Sequence, residues 1–234
     1  MSPRARPLRH TPGPRAGDTA PASGAVANAP EAEPIALRGP STLRAGDAAA
    51  LQGLLTRHSV GPRWMDEPGP GLAQLRLAVQ AAQRAPDHGK LQPWRAVVVG
   101  PAQRRALGER FAEVARDLGK PDEEVAVERD RAFNGPVLVA WVVRVDPTLA
   151  EVPVHEQWMC AGGALSNFVT ALHLMGFGAK ALSGRKCEHP VLRDAFCGPD
   201  ERLAAFVCAG TPTRPAAPRT REDPDAAMSL WSPP

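Results

Sequence analysis

The order of periodic segments along the 234-residue chain predicts an α+β fold of helices and short strands. Three observations carry this. Runs of strand length stand at residues 92–99, 137–145, 177–183 and 202–209, the second of them almost wholly apolar and β-branched. Segments with helical spacing of apolar residues separate them. Residues 155–175 form the longest helical stretch, apolar nearly all round, and a helix of that kind has to be buried on several sides.

In chain order, residues 48–56 have helical spacing and end at Arg57. Residues 72–84 repeat the pattern through Leu72, Leu75, Leu77, Val79 and Ala82 until Pro86 stops it. Residues 92–99 give the first strand. Two amphipathic helices follow, 102–118 and 122–131, parted by Gly119-Lys120-Pro121. Residues 137–145 read as a strand buried on both faces. On the long apolar helix, Ala161-Gly162-Gly163-Ala164 lets another backbone come close, and such packing has to offset about 1 kcal/mol for each interior glycine. A short strand at 177–183, a helix at 190–196 and a last strand at 202–209 complete the core. Beyond Pro212 the chain is Pro-rich and extended, and its apolar tip Leu230-Trp231 suits docking better than solvent.

Residues 1–45 are rich in Pro, Ala, Gly and Arg and poor in large apolar residues, so they predict a disordered extension ahead of one domain over 46–234. The net charge of +3 belongs to that extension. It holds six of the 28 basic residues and three of the 25 acidic ones, which leaves 22 of each sign in the remainder. A neutral domain argues against nucleic-acid binding. Cys160, Cys187, Cys197 and Cys208 form no C-x-x-C pair and have no matching His spacing, so neither a metal site nor a redox dithiol is expected. Buried, reduced thiols in a cytoplasmic protein are the expectation. No run reaches the roughly 18 apolar residues of a membrane span, and no apolar core follows the N-terminal arginines as in a secretory signal. No G-x-S-x-G elbow and no cysteine with a nearby base point to hydrolysis, so no side chain is expected to be a catalytic nucleophile.

Two clusters carry the candidate chemistry. Arg57-His58-Ser59 closes the first helix, and Arg84-Ala85-Pro86-Asp87-His88-Gly89-Lys90-Leu91-Gln92-Pro93-Trp94 joins the second helix to the first strand. An arginine fork suits a phosphate, and Ser59 adds a hydroxyl donor. The plainer alternative is that Arg57, His58 and Arg84 complement the carbonyl ends of helices, with His88 an ordinary turn residue. Trp94 opens an aliphatic strand and reads as core. The segment Gly176-Phe177-Gly178 through Ser183-Gly184 is glycine-rich but follows a helix, so it is no dinucleotide fingerprint.

These motifs resemble the nitroreductase-like flavoproteins, in particular a small bacterial branch with R-R/H-S followed by R-A-P-D-H-x-x-x-Q-P-W. The likeness extends to an E-Q, A-G, G-F-G and S-G pattern between Pro153 and Gly184 and to Gly210-Thr211-Pro212, and it covers roughly residues 46–231. The resemblance implies a mostly antiparallel sheet flanked by helices, the long helix at a homodimer interface, and FMN between the subunits. It assigns Arg57, His58 and Ser59 to the phosphate, ribityl chain and ring edge, and Arg84 and His88 to the flavin across the subunit boundary. Ala181, Leu182 and Ser183 line the ring, chiefly through main chain. Relatives carry an aromatic in place of Ala181 and an Arg in place of Leu182. The departure makes the pocket wider or less polar, with Lys180 or Arg185 placed to compensate. The implied activity is ping-pong electron transfer from NAD(P)H through FMN to a nitroaromatic, quinone or similar acceptor. The alternative is a flavin-binding or interaction protein of the same fold without turnover.

Overall fold

The computed structural model describes residues 45–215 and 221–233. The extension expected over 1–45 lies, apart from Ala45, outside the described residues.

Five strands form one antiparallel sheet: β1 (Met65–Asp66), β2 (Trp94–Val99), β3 (Val137–Arg144), β4 (Gly178–Leu182) and β5 (Glu201–Pro212). β5 pairs with β1, β3 and β4, and β3 also pairs with β2. Among the described residues six α-helices accompany it: α1 (Ala45–Thr56), α2 (Leu72–Ala82), α3 (Arg104–Asp117), α4 (Asp122–Asp130), α5 (Val154–Leu174) and α6 (Pro190–Phe196). The α+β architecture expected from the sequence is therefore present.

The strand pleat sends alternate residues to two cores. Val139, Trp141, Val143 and Val207 meet α2 and α5 on one face, while Leu138, Ala140, Val142 and Phe206 meet α3 and α6 on the other. Trp94 stacks on Trp141 with ring centroids 4.7 Å apart, which makes it core as its strand context predicts. Arg95 ties β2 to the start of β5 through a two-pronged bond to Glu201.

Local differences from the expected boundaries have plain causes. The first strand starts at Trp94 instead of residue 92, because Gln92 is left-handed (φ 44°) and Pro93 has no N–H to give the ladder. α2 stops at Ala82, and a turn at Arg84 and Ala85 leads into Pro86. The long helix is not buried on every side within the chain. Cys160, Ala161, Ala164, Phe168 and Leu172 are buried, whereas Met159 is 70% exposed and Leu174 and Trp158 are also open. The apolar tail tip is likewise exposed, Trp231 at 82%. No helix among the described residues is long and apolar enough to cross a membrane.

Candidate functional site

The residues singled out by the sequence lie on three segments: the chain after α1, the loop after α2, and β4 with the residue that follows it. α1 ends at Thr56, so Arg57 and His58 follow its carbonyl end, and both are half-buried. His58 meets His173 in the last turn of α5, with ring centroids 6.3 Å apart. Burial, reinforced by the charges of His58 and Arg57, pushes the His173 imidazole below its ordinary value. Three potential cations thus gather where two helices end. The chain then passes to Val60, whose N–H donates to the Ala179 carbonyl of β4 at 3.2 Å. This approach needs Gly178, since a Cβ there would lie 2.9 Å from Val60.

Ser59 lines a cavity of about 620 Å³ with Arg63, Lys180, Arg131 and Arg214. Arg214 lies over one side of the Trp64 ring at 3.8 Å and Arg63 is 5.1 Å from it. Sequence reading did not select Arg63 and Arg214. The signal for Arg63 was its place four residues after Ser59; nothing in the sequence marked Arg214, which enters through the turn after β5.

Ala181, Leu182 and Ser183 stand toward the far end of β4, about 7–13 Å from Ala179 at the strand rise. Ala181 and Ser183 are exposed and Leu182 is half-buried. Ser183 and Gly184 open onto a second cavity, about 680 Å³, shared with Trp158, Arg185 and Arg202. Lys180 lies midway along β4 at the cavity of Ser59, and Arg185 follows the strand at the second cavity.

The second motif lies elsewhere. Asp87 accepts from the backbone N–H groups of Leu91 (3.1 Å) and Gln92 (2.8 Å), holding a loop in which Gly89, Lys90 and Gln92 are all left-handed. Strained backbone of this sort gathers at functional sites. His88 Nδ1 lies 2.7 Å from Glu156 Oε2 in the first turn of α5. Next to it, the buried Gln157 side chain bonds Asp146 and Val152 and fixes the loop that enters α5. The E-Q pair so has two separate jobs. Arg84 is exposed and makes no ion pair among the described residues.

His173 and Glu156 are seventeen residues apart, about 25 Å along a helix. In one chain, Arg57–Ser59 and His88 consequently lie toward opposite ends of α5. The structure joins Ser59 and Ala181–Ser183 along one strand edge and does not bring Arg84 or His88 to them. On α5 Met159 and Leu174 are exposed, and so are Leu51, Leu54 and Leu55 of α1. At the cavity of Ser59, a hydroxyl and several guanidinium and ammonium donors fit a phosphate monoester. No group of His, Cys, Asp and Glu suited to a metal ion occurs among the described residues.

Comparison with known proteins bears on the family and the fold. The profile of the Nitroreductase family matches residues 54–211. A Haemophilus influenzae protein named "Putative NAD(P)H nitroreductase" is 35% identical over 165 residues, 69% of this chain and 88% of the relative. The crystal structure of a nitroreductase-like family protein from Bacillus cereus superposes with a TM-score of 0.67 at 17% identity, covering 82% of this chain and 99% of that one. The FMN and NADPH-dependent nitroreductase NfnB from sphigopyxis sp. strain HMH superposes with a TM-score of 0.60 at 18% identity, covering 78% and 99%.

Proposed function

Since the chain belongs to the nitroreductase family and is an oxidoreductase, we propose that it works as a homodimer with FMN at each of two shared sites, oxidising NAD(P)H and reducing a nitroaromatic, quinone or similar electrophile. The observation that carries the shared site is the separation of the two motifs by the length of α5.

Arg57 and the donors around Ser59 bind the phosphate, with Lys180, Arg63 and Arg214 balancing its charge. The main chain of Ala181 to Ser183 would line the ring, and His88, bonded to Glu156, would reach it from the second copy. Asp87 keeps the loop that presents His88 in one conformation. When bound, FMN supplies the hydride chemistry in two stages, first with NAD(P)H and then with the acceptor. The four cysteines are free and three are buried, which suits the reducing cytoplasm.

The test is the flavin itself. Purified protein is expected to be yellow, to carry one FMN per chain, and to bleach anaerobically on addition of NADPH or NADH. Colour without bleaching would indicate a flavin-binding protein without turnover, and protein that takes up no FMN would overturn the assignment.

A further inference from the structure

One buried carboxylate stands next to the candidate site without lining it. Glu128, near the end of α4, has a side chain only 8% exposed and gathers three cations. Lys120 bonds it at 2.8 Å and Arg131 at 2.6 Å, and Lys186 stands 3.4 Å away. The three come from the loop after α3, the turn after α4 and the turn after β4, so one side chain ties three segments together.

Two of those cations border the site. Arg131 lines the cavity of Ser59 and also a smaller one, about 320 Å³, which Leu182, Ser183 and Lys186 line with Phe111. Lys186 is flanked by that ring, with its Nζ 4.1 Å from the centroid. Glu128 therefore fixes where both charges stand and cancels part of them. Lys120 lines neither cavity and has a second carboxylate in Glu124 at 3.6 Å. Burial works to raise the Glu128 carboxyl, yet the Lys120 bond and the charges of Lys186 and Arg131 hold it below its ordinary value, so it is an anion at neutral pH. Reduction makes the N1 edge of a flavin ring negative, and cations nearby favour that form. A buried anion that neutralises such cations acts in the opposite sense.

We propose that Glu128 is a positioning residue that sets the reduction potential of the flavin, by fixing Arg131 and Lys186 at the strand end and withholding part of their charge from the ring. This rests on the flavin reading above and adds a residue which that reading does not use.

Potentiometric titration of the full chain loaded with FMN tests the proposal. Glu128→Gln keeps the shape of the side chain and removes its charge. Reduced FMN should then gain about tenfold in affinity over oxidised FMN, a rise of about 30 mV for a two-electron couple. Glu128→Asp keeps the charge, so its ratio should stay within about twofold of wild type, about 9 mV, even where urea denaturation shows lower stability. A Glu128→Gln potential inside that limit, or a Glu128→Asp potential that rises as far as the glutamine variant, would overturn the proposal and leave Glu128 a purely structural ion pair. Should Glu128→Gln fail to fold or to hold FMN, Lys120→Met decides. It leaves more of the Glu128 charge acting on Arg131 and Lys186, so the potential should fall, and a potential that stays or rises would overturn the proposal. Wild-type protein that takes up no FMN would overturn the proposed function and this inference with it, whereas flavinated protein with an unmoved potential would overturn this inference alone.

Discussion

Asp87 shows how a single side chain can set a functional loop. Its two carboxylate oxygens accept from consecutive N–H groups, and one of these belongs to the left-handed Gln92. Non-glycine residues held there cost of order 1–3 kcal/mol, which the surroundings have to offset. Asp87→Ala should therefore lower stability by about 1–3 kcal/mol in urea denaturation, with Asp87→Asn recovering part of the loss through its one acceptor oxygen. A change below about 0.5 kcal/mol for the alanine variant would show that the loop holds itself. The sequence marked this residue only as turn chemistry, because Asp after Pro is common in turns. Its bonds to residues four and five positions on depend on the chain reversing through Gly89 and Lys90. Glu156 and Gln157 were visible as a pattern, yet their partners His88, Asp146 and Val152 come from the folded loops.

At the scale of elements, α5 is where the sequence was both most informative and most misleading. Its all-round apolarity signalled a helix with more than one neighbour, and α2 and the sheet are two of them. Which glycine faces which neighbour was not legible, since Gly162 and Gly163 are adjacent and differ only by about 100° around the axis. A Cβ on Gly163 would touch Ala85 at 3.5 Å within the same chain, whereas one on Gly162 would meet nothing within 4 Å. Gly163→Leu is expected to overpack the contact with Ala85, in the turn after α2, and lower stability by about 1–3 kcal/mol. Gly162→Leu should leave the chain folded, and helix propensity alone favours it by up to about 1 kcal/mol. Projecting from the open flank, the same leucine should drive two copies apart, and chromatography with absorbance detection should give a folded monomer without flavin. A fully flavinated dimer of Gly162→Leu would place the interface elsewhere. Other elements escaped the sequence for simple reasons. β1 is two residues long and exists only by pairing with Thr211 and Pro212. In β5, Leu203 and Phe206 are three apart and yet share a face, because the register shifts opposite Trp141 and Val142 and breaks the alternation.

For the whole molecule, the length of α5 decides what one chain can do. Its two candidate motifs were legible as sequence, and so was the likeness that assigns them to one flavin. Their separation by about 25 Å was not, because it depends on α1 and the loop after α2 docking toward opposite ends of the same helix. A site built from both has to draw on two copies, and a mixed dimer tests this without assuming a cofactor affinity. Arg57→Ala and His88→Ala chains, each with a different affinity tag, would be co-expressed and the mixed dimer isolated. Each homodimer carries two damaged sites. If the site is shared, the mixed dimer has one site with both substitutions and one with neither, so it should hold one FMN at wild-type affinity and retain half of the wild-type NADPH oxidation per dimer. If each site lies within a single chain, every site in the mixture carries one substitution. A mixed dimer that binds FMN no better than the two homodimers would contradict the account.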